Sequence, residues 1–183
     1  MVSWVLLAVI VFVAVGVVGI FNNLVQMRQS VKNAWSQIDV QLKRRHDLIP
    51  NLVETAKGYM AHEKDTLERV IKARQQAVDA SGLKSRQEAE NYLTQTLRSL
   101  FAVVENYPNL KADQQMLKLQ EELTSTENKI AFARQYYNDE TARYNTDVQS
   151  FPNSFIAQVF NFTQSEFFEI QDPAEKVAPQ VKF

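Results

Sequence analysis

Two histidines and the charged residues around them are the first candidates for chemistry. The stretch 38–59, IDVQLKRRHDLIPNLVETAKGY, places His46 between a basic triplet and Asp47, and His62 follows in HEKDT. A zinc-protease helix needs a second histidine four residues later, and a di-iron bundle needs a glutamate three residues before a histidine. Neither spacing occurs, so we predict no metal site and no cofactor.

Other catalytic signatures are missing as well. The sequence has no Gly-rich phosphate loop, no G-x-S-x-G elbow and no Rossmann fingerprint. It also has no cysteine, which excludes disulfides, thiolate metal sites and a cysteine nucleophile. A net charge of −1 gives no reason to expect nucleic acid. We therefore predict that the protein is not an enzyme and has no nucleic-acid or small-molecule partner.

The basic triplet Lys43, Arg44 and Arg45 has three interpretations. On a helix such residues are usually solvated or paired with acids. A lipid contact requires the helix to lie down, because the triplet stands about 30 Å beyond Phe21 and the Debye length is about 8 Å. The third interpretation is a surface that contacts another protein, and we take all three residues as candidates for that role.

The N-terminal segment MVSWVLLAVIVFVAVGVVGIF carries no charge, and Arg28 is the first charged residue. Residues 2–21 would span about 30 Å as a helix, which matches the hydrocarbon thickness of a bilayer. A cleaved signal peptide would need a basic start and a small-residue cleavage site. We therefore predict a retained transmembrane anchor over residues 1–25. Because Lys and Arg flank it only on the C-terminal side, that side is expected in the cytoplasm and the N-terminus outside.

The remainder has the pattern of long helices. Apolar residues at three-and-four spacing run from Leu24 to Leu42, which predicts that the anchor continues into a helix. The pattern resumes after Pro50 and ends at a stop at Ser81-Gly82, and Ser85 with Glu88 predicts a capping box for the next helix. A last helix repeats every seven residues and ends at Pro152; its repeat consists of Met116, Leu123, Ile130, Tyr137, Tyr144 and Phe151.

These elements predict an all-α fold in which an N-terminal transmembrane helix continues into an antiparallel bundle of long helices over residues 26–150. Pro50 leaves two alternatives open. Asp47 could cap a new helix with Pro50 in its first turn, or Pro50 could kink one continuous helix. In either case we expect the surrounding segment to be a packed structural joint with charged, paired flanks.

The C-terminal segment 151–183 is rich in phenylalanine. Besides Phe151, its aromatic residues are Phe155, Phe160, Phe162, Phe167 and Phe168. The segment could fold back onto the bundle, as a short helix or an extended strap. Alternatively it could offer its phenylalanines to a partner or to another copy, because an exposed apolar cluster usually marks an interaction site. We take these five residues as further candidates for protein contact.

The sequence resembles the LemA family of bacterial membrane proteins. The resemblance rests on the apolar N-terminal helix, on NNLVQMRQSVKNAWSQIDVQLKRRHDLIPNLVETAKGYMAHE and ARQQA, and on YNTDVQSFPNSFIAQVFNF near the end. It implies a single-pass helical protein of the bacterial cytoplasmic (inner) membrane, and it carries over no catalytic residues. Genes of such proteins often neighbour those of membrane proteases, which implies a possible membrane protease partner.

Two functional hypotheses follow. The first is a membrane-anchored scaffold that self-associates into a homo-oligomer in the lipid bilayer, based on the heptad face, the aromatic segment and the missing catalytic residues. The second is an adaptor or regulator of a membrane protease or another membrane protein complex.

Overall fold

A computed structural model describes residues 1–168, and every regular element in that range is a helix. The predicted all-α class and the long N-terminal apolar helix are confirmed. The six helices are α1 (Val2–Lys57), α2 (Lys64–Asp79), α3 (Leu83–Val104), α4 (Pro108–Lys111), α5 (Gln114–Gln149) and α6 (Asn153–Val159).

Helix α1 runs for 56 residues and contains Pro50 in its interior. The alternative in which Asp47 begins a new helix is therefore wrong. The apolar stretch at its start is long enough and apolar enough to cross a membrane, and none of that stretch is buried by other described parts of the protein. The helix thus combines an uncovered apolar segment with a later segment that packs in a core.

Two helix boundaries differ from the prediction. The apolar pattern after Pro50 does not form one helix, because α1 ends at Lys57 and α2 begins at Lys64. Met60 lies in the intervening turn and is fully buried, so the apolar pattern continues where the helix does not. The capping box is also wrong. Helix α3 begins at Leu83 after Gly82, whose φ of 82° suits glycine, and no side chain caps it.

The described chain forms two compact units. The first unit contains Met1–Asp39 and Ala131–Phe167. Within it, the Asn23 amide donates a hydrogen bond of 2.8 Å to Asp147, and the rings of Trp35 and Tyr137 lie 5.5 Å apart. Because the partner's residue number falls as that of α1 rises, the two helices are antiparallel in this unit.

The second unit contains Val40–Ile130, together with Phe168. Its core is a single apolar cluster to which α1, α2, α3, α4 and α5 all contribute. The connection between α2 and α3 is only three residues long, which makes these helices antiparallel neighbours. Burial of these apolar side chains is the main stabilising term, at about 25 cal/mol per Å².

The heptad face of α5 is largely buried against other parts of the same chain. Five of its six predicted residues are buried, namely Met116, Leu123, Ile130, Tyr137 and Tyr144. Thr126 also sits on this face, and its hydroxyl donates to the Glu122 carbonyl at 2.7 Å, so no polar atom of that side chain is left unsatisfied. Phe151 lies beyond the end of α5 and is 81% exposed. The buried part of this face is thus unavailable to another copy of the chain.

Candidate functional site

A buried polar cluster lies in the second unit, and we call it the Arg45 network. It consists of Arg45, His46, Glu90, Thr94 and Glu127. Arg45 falls on the apolar stripe of α1, three residues after Leu42 and four before Ile49, and its side chain is 1% exposed. Glu90 falls on the stripe of α3, three residues before Leu93, and it is equally buried. Helix periodicity therefore places both charged side chains on the buried face of their helices.

The guanidinium of Arg45 joins three helices. Its Nη2 forms an ion pair with Glu90 Oε2, and its Nη1 lies 2.5 Å from Glu127 Oε2. The same Nη1 donates to the Thr94 hydroxyl at 3.0 Å. The other oxygen of Glu90 lies 2.8 Å from His46 Nε2, so both carboxylate oxygens have partners. Buried charges require such pairing, because an unpaired charge in a core is strongly destabilising.

The ionisation of Glu90 reflects this pairing. Burial on its own would raise the pKa of Glu90, since it penalises the charged form. The hydrogen bond with His46 and the positive charge of Arg45 outweigh burial, and the pKa of Glu90 lies below its ordinary value. The carboxylate is therefore charged at neutral pH and is stabilised by its partners.

Pro50 is accommodated next to the same network. A proline inside a helix has no N–H to bond the carbonyl four residues earlier, which here belongs to His46. The Nε of Arg74, on α2, donates a hydrogen bond of 2.8 Å to that carbonyl. A side chain from a neighbouring helix thus replaces the missing backbone donor. The expected structural joint is present as a continuous helix with a substituted hydrogen bond.

The Arg45 network has little capacity for chemistry. A cleft of about 210 Å³ lies beside it, lined by residues that include Thr94, Phe101 and Glu127. Typical ligand sites occupy about 300–1,000 Å³. Within residues 1–168, no group of three or more His, Asp or Glu side chains is placed to hold a metal ion. The arrangement pairs opposite charges and holds α1, α3 and α5 together.

The other two residues of the basic triplet are on the surface. Lys43 pairs with Asp47 at 2.7 Å, and both side chains are more than half exposed. The hydrogen bond from Lys43 lowers the pKa of Asp47. Arg44 is exposed as well. The triplet is therefore divided between core and surface, and its role in protein contact stays a prediction.

The aromatic segment begins with α6, whose end has a specific turn. Asn161 adopts a left-handed conformation with φ of 56°, which asparagine tolerates better than most residues. The Phe162 N–H then donates to the Ala157 carbonyl at 2.9 Å, and the Asn161 N–H donates to Gln158. This pair of bonds is a Schellman motif. It reverses the chain so that Phe162 points into the first unit, where it is buried.

After the turn at Asn161, the chain packs against the end of the apolar part of α1. The Phe21 ring lies 4.9 Å from the Phe160 ring and 5.6 Å from the Phe162 ring, both edge to face. The guanidinium of Arg28 lies over the Phe162 ring at 4.9 Å. Such contacts add to the free energy of simple burial. Two hydrogen bonds hold the extended strap that follows. The Tyr137 hydroxyl donates to the Glu166 carbonyl, and the Asn145 amide donates to the Ser165 carbonyl.

The five predicted aromatic contact residues therefore have different environments. Phe162 and Phe168 are buried, whereas Phe155, Phe160 and Phe167 are exposed. The segment folds back as a short helix followed by a strap, and contact of its exposed phenylalanines with a partner stays a prediction. Residues 169–183 of the predicted segment lie outside the described residues.

Neither Glu90 nor Glu127 was predicted as a partner of Arg45. Glu90 could have been found, because it occupies a buried position in the apolar stripe of α3. The same signal, a charged residue in register with apolar ones, applies to Arg45. Glu127 has the same spacing, four residues after Leu123 and three before Ile130, but its side chain remains 42% exposed at the edge of the buried face of α5.

The fold and this placement of charges define a helical bundle protein with an N-terminal helix of membrane-spanning length. The sequence profile of the LemA family matches residues 34–183. The chain belongs to the LemA family.

Several named relatives share most of the chain at low identity. Magnetosome protein MamQ 2 of Paramagnetospirillum magneticum is 24% identical over 89% of this chain and 69% of its own length. Magnetosome protein MamQ of Magnetospirillum gryphiswaldense is 22% identical over 88% of this chain and 70% of its own length. Protein LemA of Metamycoplasma hominis is 24% identical over 85% of this chain and 71% of its own length. The family and the apolar helix fit a membrane protein.

Proposed function

We propose that the protein is a single-pass, membrane-anchored scaffold that self-associates and carries out no catalysis. Residues 2–21 would cross the bacterial cytoplasmic membrane, with the N-terminus outside and the helical part in the cytoplasm. The uncovered apolar stretch supports the crossing. The Lys and Arg residues, all after position 27, support the orientation.

One observation carries the self-association. Phe132 and Tyr136 lie one turn apart on α5 and are 71% and 43% exposed. Residues four apart share a helix face, so the two rings form one aromatic surface. Aromatic side chains are enriched in the cores of protein interfaces. The buried heptad side of α5 is occupied within the chain, which leaves this surface as the side that α5 can offer to a second copy.

Anchoring favours a second copy as the partner. Copies held in one membrane share an orientation and a plane, which raises their effective concentration. A two-fold interface would bring the same aromatic surface from each copy together.

The test is the oligomeric state of the full chain in mild detergent over a wide range of protein concentration. We expect an oligomer that Phe132→Ser shifts to monomer. Ile71→Ser removes an exposed apolar residue of α2 and serves as the matched control, with no expected shift. A wild-type protein that stays monomeric at every concentration would overturn the proposal.

A second candidate is an adaptor for a membrane protease or another membrane protein complex. The observation that favours it is the exposed pair Lys43 and Arg44, beside the buried Arg45. Arg44→Glu should then remove one specific co-purifying membrane protein, whereas Lys72→Glu on α2 should not. An unchanged set of co-purifying proteins would eliminate this candidate.

A further inference from the structure

The exposed phenylalanines around α6 form a stripe next to the membrane-spanning part of α1. Phe155 and Val159 lie four residues apart on α6, which places them on one face, and Phe151 lies just before that helix. Phe151, Phe155 and Val159 are 81%, 64% and 72% exposed, and Phe160, which is the C-cap residue of α6 and is 48% exposed, completes the stripe. The rings of Phe151 and Phe155 lie 6.1 Å apart, so the stripe has a continuous aromatic surface.

The level of this stripe along α1 follows from contacts within the first unit. Helix α5 runs antiparallel to α1, and Asp147 bonds to Asn23. Phe151 is four residues further in the direction of the apolar segment. Phe160, at the other end of the stripe, contacts Phe21. The two ends of the stripe thus lie near the last turns of the segment that would cross the membrane.

The composition of the segment suits a lipid surface. Between Asp147 and Glu166 the chain contains no charged residue. An exposed apolar helix face bordered by polar but uncharged side chains can enter the boundary between headgroups and acyl chains. Arg28 lies two turns beyond Phe21, where a helix that leaves the bilayer at Phe21 would meet the headgroups, and its guanidinium covers the Phe162 ring.

We propose that the stripe Phe151, Phe155, Val159 and Phe160 inserts into the membrane interface on the side where α1 leaves the bilayer. The occupant of this apolar face is the lipid itself. The segment would then fix the tilt and depth of α1 by a second contact with the same membrane. This inference rests on the proposed crossing by residues 2–21 but does not depend on self-association.

The absence of cysteine in the sequence makes a labelling experiment clean. The full chain is prepared with one cysteine in place of Phe155 and, separately, in place of Val159. Each variant carries an environment-sensitive fluorophore and is reconstituted into vesicles of phosphatidylethanolamine and phosphatidylglycerol. Quenching by iodide, present on both sides of the bilayer, is compared with quenching by lipids that carry a nitroxide near the headgroup.

We expect several-fold stronger quenching by the nitroxide lipid at positions 155 and 159 than at Val40, which is 62% exposed and lies on α1 about 28 Å beyond Phe21. Iodide should show the reverse order. A label at Val9, inside the proposed span, serves as the reference for a site within the bilayer. Two labelled positions in the stripe guard against a substitution that disturbs the fold.

Three results would overturn the proposal, and they differ from one another. Iodide quenching at 155 and 159 as strong as at Val40, with Val9 quenched by lipid, would mean that the span is right and the stripe faces water. Protection from both quenchers would mean that protein, including a second copy, covers the stripe. If iodide quenches a label at Val9, both the proposed membrane span and this inference are wrong.

Discussion

The Arg45 network and the aromatic segment reverse the usual distribution of residue types. In the second unit an arginine and a glutamate lie in the core, whereas in the first unit several phenylalanines lie on the surface. Arg45 can be buried because Glu90 and Glu127 neutralise it. Phe155 is exposed because α6 is short and its opposite face, with Ala157, already fills the unit. Helix register and available partners, rather than residue type alone, decide which side chains are inside.

The side chains of these two regions also have two different kinds of role. A buried side chain whose charged groups are paired within its own chain contributes to folding, and its loss should reduce stability. An exposed apolar side chain contributes little to folding, and its loss should affect association with a membrane or a protein. Neighbouring residues of the same type, one from each class, make matched pairs for testing the distinction.

The largest effect is expected for Arg45→Met. The substitution leaves Glu90 buried without its permanently charged partner, which should lower the free energy of unfolding by about 3–5 kcal/mol. The adjacent and exposed Arg44→Met should change it by no more than about 0.5 kcal/mol. Denaturant unfolding of both variants in the same detergent measures the difference. Equal effects would contradict the contrast between core and surface within the triplet.

A similar contrast is expected within the aromatic segment. Phe162→Ala removes a buried ring from contact with Phe21 and Arg28, at a cost of about 3 kcal/mol. Phe155→Ala removes an exposed ring and should change the free energy of unfolding by no more than about 0.5 kcal/mol. Thermal or denaturant unfolding in detergent gives both values. A stable Phe162→Ala protein would mean that the turn at Asn161 does not anchor the segment.

The smallest effect concerns pH. The pKa of Glu90 in the folded protein lies below its ordinary value of 4.5, because His46 and Arg45 favour the charged form over the opposing effect of burial. A lowered pKa contributes stability that is complete above the unfolded value and is lost as the pH falls through the folded value. The difference in denaturation midpoint between wild type and Glu90→Gln should therefore shrink below about pH 4.5. A difference that stays constant or grows under acid conditions would contradict this assignment.

Much of the fold could be predicted from the sequence because periodicity reports it directly. The uncharged N-terminal segment, the three-and-four spacing and the heptads of α5 are local patterns, and helices follow local patterns closely. The break between α1 and α2 could not be predicted in this way. Met60 keeps the apolar pattern in register while the backbone leaves the helix, so the pattern shows no interruption.

The site could be predicted only in part, for a different reason. Arg45 and Glu90 each interrupt an apolar stripe, which indicates a buried charge that needs a partner. Which acid serves Arg45 depends on how α1, α3 and α5 pack, over sequence separations of 45 and 82 residues. The hydrogen bond from Arg74 to the His46 carbonyl is likewise tertiary. Pro50 indicates that a donor is missing but not where its replacement comes from.

The central claim, self-association through α5, is tested most directly by disulfide formation between copies in isolated membranes. Gln135→Cys places the chain's single thiol beside Phe132 and Tyr136 and keeps both rings, and Lys72→Cys places it on α2 as the control. Mild oxidation should give a disulfide-linked dimer with Gln135→Cys and leave Lys72→Cys monomeric. No dimer with Gln135→Cys, or equal amounts with both variants, would contradict an interface formed by the aromatic surface of α5.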